Sequence, residues 1–497
     1  MLALFVVTSV VFAVGGCGRE TTATLPAAAP DAARFAEELR QQVSADAMMG
    51  HLQKLQDIAN ANGNTRAIGT PGYDASVDYV ANTLRDKGFD VQTPEFELSV
   101  FSSEPGTVVL GGTAPGGMTA AAKALEYTVG TPPDGVSAPL VPAKVSDSPG
   151  CDEADYDGLP VTGAIVLVDR GTCQFSKKAA SVVARGAVGL VVADNVDEKE
   201  MGGTLGEDND IKIPVVSVSK ADGATLRANP GPVTIKVNAS TQQISARNVI
   251  AQTTTGSGAD VVMTGAHLDS VPEGPGINDN GSGVAAVLET ALQLGSAPQV
   301  RNAVRFGFWG AEEKGLVGSE KYIESLNVDQ LKDIALYLNF DMLGSPNPGY
   351  LTYDGDQSTA IKRTESAPRV PEGSAGIERA LVAYLKGAGK TAQDTAFDGR
   401  SDYDGFTMAG IPSGGLFAGA EDKMTAEQAK LWGGTADQPF DPNYHKSTDT
   451  IDHIDRTALD IQGGGVAYIV GQYAQEITGR NGVPVRGDRT RHVIQPS

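Results

Sequence analysis

Basic residues, cysteine, histidine and aromatics are all scarce in this chain. Against 61 Asp and Glu it carries only 39 Lys and Arg, a formal charge of −22. With no basic stripe to neutralise phosphates, the sequence argues against a nucleic-acid partner and against a general electrostatic pull toward anionic lipid. Three cysteines in 497 residues are too few for a disulfide scaffold. There is no G-x-G-x-x-G stretch and no P-loop lysine, so Gly281 and Gly283 read as turn residues, not a phosphate cradle. What remains is ordinary globular material, 41% hydrophobic and 20% charged, which rules out a wholly disordered chain. Sixty glycines imply many tight turns, and the length suggests about three domains.

Only residues 1–16 are apolar enough to meet a bilayer, and they fall short of the roughly 20 residues a spanning helix needs. They resemble a secretory signal peptide ending in a bacterial lipobox, Val14-Gly15-Gly16-Cys17, with Cys17 as the acylated residue. Residues 17–31, rich in Ala, Thr and Pro, follow as a flexible tether. No Lys or Arg precedes the apolar run, so either the true start lies upstream or the leader is atypical. The expected location is the extracytoplasmic face of the cell membrane, held by lipid on Cys17. An uncleaved anchor or a secreted form is the alternative. In such a compartment a disulfide between Cys151 and Cys173 is the natural use of the other two cysteines, and a pair of free structural thiols the alternative. Residues 481–497 read as a polar tail.

His51 to Asp90 shows helical periodicity, and Phe89 to Val100 alternates like a strand. From Ser245 onward, apolar strand runs alternate with helical patterns. Strands are expected at 248–251, 261–264, 304–309 and 335–340, with helices at 283–294 and 319–325. This predicts an α/β fold whose mixed, mostly parallel sheet is sandwiched by helices. Between these halves, residues 163–218 have a texture of their own: short buried strands around a helix at 175–185. The stretch Asp169-Arg170-Gly171-Thr172-Cys173-Gln174-Phe175, with Lys177-Lys178 and Gly186-Ala187, resembles the protease-associated domain, a small β-rich module found inserted in several peptidases. The resemblance covers 115–242, leaving 32–114 and 243–480 as the two parts of the main domain.

Polar residues end the apolar runs of that main domain. His267 and Asp269 follow one strand, Glu312 and Glu313 a second, and Asp341 a third; a glycine-rich loop, 278–283, opens a helix. In open α/β sheets, ligands bind outside the carboxyl ends of the strands. One His with several carboxylates and no Cys suits zinc or another divalent first-row ion. A second His is needed, and His445, in a polar loop before a helix, is the best of the remaining four. His51, His453 and His492 read as surface or cap residues.

The set Ala266-His267-Leu268-Asp269-Ser270, Asn278-Asp279-Asn280-Gly281-Ser282-Gly283, Phe308-Trp309-Gly310-Ala311-Glu312-Glu313, Asn339-Phe340-Asp341-Met342 and Tyr444-His445 resembles the di-zinc aminopeptidases of the Streptomyces, Vibrio and yeast aminopeptidase Y type. The whole chain is similar to actinobacterial lipoprotein aminopeptidases. The resemblance implies two Zn²⁺ per chain: His267 and Asp341 on one, Glu313 and His445 on the other, Asp279 bridging. It implies Glu312 as general base acting on a metal-bridged hydroxide, Tyr444 as hydrogen-bond donor to the tetrahedral intermediate, and Arg400 as a substrate contact. Asp341 and Glu312 would attract the substrate ammonium, and Asp269 would orient the His267 ring. The segment 414–421 matches a loop lining the family's substrate pocket. The function implied is removal of an N-terminal residue, a hydrophobic one such as Leu, from peptides with a free N-terminus, by a monomer. A carboxypeptidase or dipeptidase of the same superfamily and a non-catalytic receptor-like lipoprotein are the alternatives.

Overall fold

The computed structural model describes residues 30–111, 117–146, 148–197, 201–359, 370–478 and 482–495. The signal peptide, Cys17 and nearly all of the expected tether lie outside these residues. Pro30, at the tether's end, already opens the helix Pro30–Gln42.

The main domain is built on an eight-stranded sheet in the order Asp90–Gln92, Val249–Gln252, Asn302–Trp309, Ser257–His267, Ile334–Phe340, Ser413–Phe417, Leu351–Tyr353, Gln393–Thr395. Its four central strands, from Asn302–Trp309 to Ser413–Phe417, are mutually parallel, and antiparallel pairings flank them on both sides. Strands buried on both faces read as near-continuous apolar runs; Ile334–Phe340 is buried at every position. One face carries Val262, Phe306, Phe308, Leu336 and Leu338 against the helices Ala45–Ala61, Pro71–Asp86, Gly283–Leu294 and Arg456–Gln475. The opposite face carries Met263, Trp309 and Tyr337 against Ile323, Leu331 and Phe406 from three shorter helices. Tyr337 and Phe406 stack at 3.6 Å.

Ser413–Phe417 overlaps the segment expected as a pocket-lining loop. Its glycines admit close neighbours. A methyl group at Gly415 would collide with the Asn339 carbonyl, and one at Gly414 would come within 2.5 Å of Ile377 Cγ2.

The chain leaves the main domain along Glu95–Ser103 and returns along Ala239–Arg247, an antiparallel ribbon in continuous register from Glu95–Arg247 to Ser103–Ala239. Beyond the ribbon, seven strands close a barrel: Gly106–Leu110, Met118–Ala124, Val215–Val218, Gly189–Ala193, Ile165–Asp169, Val136–Pro142 and Pro232–Lys236. The insert therefore begins at Gly106 and not at 115, because Gly106–Leu110 pairs with two barrel strands. The short run Gly-Thr-Val-Val-Leu carries no mark of which sheet it joins. Cys151 and Cys173 are disulfide-bonded at the barrel end, beside the buried Lys178, whose ammonium donates to Pro149 O.

Of the expected polar tail, the described residues 482–495 include arginines packed into the main domain. The Arg489 guanidinium is buried, donating to Ala259 O at 2.9 Å and pairing with Asp260 at 2.5 Å. Arg491 donates to Leu331 O at 3.2 Å and Ile334 O at 2.9 Å. Arginines near a terminus look like solvated charge in sequence; backbone carbonyl partners leave no sequence trace.

Candidate functional site

Four loops at the carboxyl ends of the central strands supply the polar cluster. His267 is the last residue of its strand and is 1% exposed. Asp341 directly follows Ile334–Phe340. Glu312 and Glu313 begin a short 3-10 turn, entered through Ala311 in the left-handed region at φ 58°. Asp279 lies in the wound turn Ile277–Ser282 that leads into the helix Gly283–Leu294, and the Asp279–Asn280 peptide is cis. His445 arrives from a distant loop, also left-handed at φ 55°.

Asp279 is the centre of the arrangement. Its Oδ1 lies 3.2 Å from His267 Nε2, and its Oδ2 lies 3.1 Å from His445 Nε2. His267 Nε2 is also 3.5 Å from Asp341 Oδ1, and His445 Nε2 is 3.1 Å from Glu313 Oε2. The result is two three-residue donor sets, His267–Asp279–Asp341 and Asp279–Glu313–His445, each with its donor atoms within 4.8 Å of one another. Glu313 Oε1 and Asp341 Oδ1 are buried without a hydrogen-bond partner. Buried carboxylate oxygens without partners are costly unless a cation meets them, so the cluster fits divalent cations, and two His with three carboxylates suits zinc.

Crowding of these charges displaces their protonation. Burial pushes the Glu312 carboxyl well above its usual range, although His267 pulls the other way. Burial likewise holds Glu313 up at about 7, with Asp279 adding to it. Burial opposes charge on His445, but its bonds to Asp279 and Glu313 outweigh this and raise it to about 10. Asp279, despite its burial, is held below the ordinary carboxylate range by the two histidines.

The supporting contacts are specific. The Asp269 side chain stands 3.7 Å from His267 Nδ1, which is closer, at 3.2 Å, to the Asp269 backbone carbonyl. Both the main chain and the carboxylate of Asp269 thus face the His267 ring, and the carboxylate also accepts the backbone N–H groups of Glu312 and Glu313. Ser401 donates to Asp341 Oδ2 at 2.7 Å. Asp449 accepts the backbone N–H of Asn278 at 2.7 Å and of Asp279 at 3.0 Å. Ser401 follows Arg400 directly and Asp449 lies four residues past His445, yet only their position in the fold shows what they hold. Arg66, buried and donating to Pro275 O and Gly276 O in the loop between His267 and Asp279, had no sequence signal at all.

Beside the cluster opens a cavity of about 410 Å³ whose lining includes Leu351, Tyr353, Phe417 and Phe440. Tyr444 and Arg400 also line it. The Tyr444 ring stacks on His445 at 3.8 Å, and its hydroxyl accepts from Arg400 at 3.2 Å. Arg400 also pairs with Glu421 at 2.9 Å. Outside this region, His51 proves to be no surface residue: it bridges Tyr79 at 2.6 Å and Glu289 at 3.0 Å between helices.

Residues 248–470 match the model of peptidase family M28. Over 492 residues the chain is 68% identical to the probable lipoprotein aminopeptidase LpqL of Mycobacterium tuberculosis, covering 99% of this chain and 97% of that protein. The chain belongs to peptidase family M28. Residues 136–226 match the PA domain, which falls within the inserted barrel. The chain is also 39% identical to leucine aminopeptidase 2 of Arthroderma otae, across 91% of this chain and 89% of the other. Among solved structures, a zinc aminopeptidase from Bacillus subtilis superposes with a TM-score of 0.64 at 26% identity, covering 88% of this chain and 98% of its own. This M28 chain brings all five expected ligand residues, together with Glu312, into one cluster.

Proposed function

We propose that this M28 protein is a zinc aminopeptidase that releases hydrophobic N-terminal residues, leucine among them, from peptides. The observation that carries the reading is Asp279, shared by two donor sets that each contain a buried carboxylate oxygen lacking a partner. His267 and Asp341 would hold one ion, Glu313 and His445 the other, and Asp279 both. When bound, zinc supplies Lewis-acid chemistry, polarising the scissile carbonyl and acidifying the attacking water.

The chain's own residues do the rest. Glu312, 3.9 Å from His267 and held by its backbone against Asp269, takes the proton of the attacking water and returns it to the leaving amine. The Tyr444 hydroxyl accepts from Arg400, which leaves its own proton for the oxyanion of the tetrahedral intermediate. The carboxylates of Glu312 and Asp341 attract the substrate's terminal ammonium. Leu351, Tyr353, Phe417 and Phe440 offer an apolar surface to its side chain, and the name of the Arthroderma otae relative supports leucine.

The reading includes a lipid on Cys17, which would hold the enzyme at the outer face of the cell membrane. The lipobox pattern and the lipoprotein name of the mycobacterial relative support it. Among the described residues no helix is long and apolar enough to cross a membrane.

A panel of chromogenic aminoacyl amides, with and without chelator, tests the activity. Cleavage fastest for leucine and other apolar residues, lost with chelator and restored by zinc, is expected. Cleavage of C-terminal residues from N-blocked peptides, with the amides untouched, would replace the reading with a carboxypeptidase. Inertness toward both after zinc is supplied would leave a binding protein.

A further inference from the structure

Arg66 lies in the turn between the helices Ala45–Ala61 and Pro71–Asp86, far in sequence from every residue of the cluster. It is fully buried. All of its bonds go to the segment that joins His267 to Asp279. Its Nε donates to Pro275 O at 2.8 Å, one terminal nitrogen donates to Leu268 O, and the other to Gly276 O at 2.5 Å. Its backbone N–H donates to the Ser270 hydroxyl at 3.0 Å.

Leu268 directly follows His267, and Gly276 stands three residues before Asp279. The guanidinium therefore ties the start of this connecting loop to its end. Gly276 is left-handed at φ 61°, and an added Cβ would meet Arg66 Nη2 at 3.1 Å and Ser270 Cβ at 2.5 Å, so the loop's return leaves room only for hydrogen.

We propose that Arg66 is a positioning residue that fixes the spacing of His267 and Asp279, and thereby the affinity of the donor set containing both. Three converging carbonyl oxygens require a planar donor with several N–H groups at fixed angles. Lysine has a point charge and cannot span them. Burial pulls the Arg66 pKa down to about 10, while Asp269, Asp449 and Asp279 pull the other way, so it remains a cation at neutral pH. Its charge also faces the carboxylates, which makes charge alone the competing explanation, and Arg66→Lys separates the two.

The inference rests on the metal reading above, and the test keeps their failures apart. Zinc affinity of the full-length metal-free protein is measured by competition with a chelating dye, alongside melting temperature with and without zinc. The parent is expected to bind two zinc ions. Arg66→Lys is expected to fold, to bind zinc about 10- to 100-fold more weakly, and to gain less melting temperature on zinc addition. Affinity equal to the parent's would overturn the proposal and leave the metal reading standing. A parent that binds no zinc would overturn both. Should Arg66→Lys fail to fold, Ser270→Ala removes the second tie to the same loop. A several-fold weaker zinc affinity with a near-parent melting temperature is expected there, and unchanged affinity would again overturn the proposal.

Discussion

Asp269 Oδ1 accepts the backbone N–H of Glu312 at 3.2 Å, and the other oxygen of the same carboxylate accepts that of Glu313 at 3.4 Å. One buried side chain thus locks the turn that presents both glutamates, while its own carbonyl contacts the His267 ring. Asp269→Asn keeps the shape but offers only one acceptor oxygen to those two donors. Turnover is expected to fall about 10- to 100-fold, with zinc content reduced less than activity. Parent-like turnover would show that the turn holds itself.

Glu312 has no place in either donor set, although its Oε2 lies 3.9 Å from His267 Nε2. Glu312→Gln is therefore expected to retain zinc in full, by metal analysis, while turnover on a leucine amide falls by about two to four orders of magnitude. Retained turnover would remove Glu312 from its role as base.

The terminal arginines make a prediction about stability. Arg489 is paired with Asp260 and bonded to three carbonyls, those of Pro484, Ala259 and Lys332, with its side chain wholly buried. Arg489→Ala leaves those partners uncompensated and is expected to cost about 3 kcal/mol in denaturant unfolding. A loss within about 0.5 kcal/mol would mean that the segment contributes like an ordinary surface tail.

A pH dependence follows from Glu378, on the helix Ser374–Gly387. Burial raises its pKa from 4.5 to about 7, with the neighbouring Asp356 backbone opposing. The folded state then binds a proton that the unfolded state has released, so stability is full below 4.5 and declines as pH rises through about 7. Glu378→Gln is expected to flatten melting temperature against pH across that window. An unaltered slope would place the titrating group elsewhere.

Much of the fold was legible because its core strands are buried on both faces. Runs such as Ala335-Leu336-Tyr337-Leu338 announce a central parallel strand without any knowledge of neighbours. The short strands Leu351–Tyr353 and Gln393–Thr395 gave no such signal, since three residues are too few to establish a period. The start of the insert at Gly106 was hidden for the same reason: pairing, not composition, assigns that strand to the barrel.

The sequence by itself determined which chemistry was available. His267, Glu312, Glu313 and Asp341 each stand where an apolar strand gives way to polar residues, and the sheet then has to deliver them to a common end. Tertiary structure alone decided the distances, above all that His445 comes within 3.1 Å of both Asp279 and Glu313 from a loop more than 100 residues downstream of Asp341. It alone brought in Arg66, Ser401 and Asp449 as supports. The physical reason is that donor side chains carry their chemistry in their identity, whereas a support is defined by the group it reaches, which its own identity does not name.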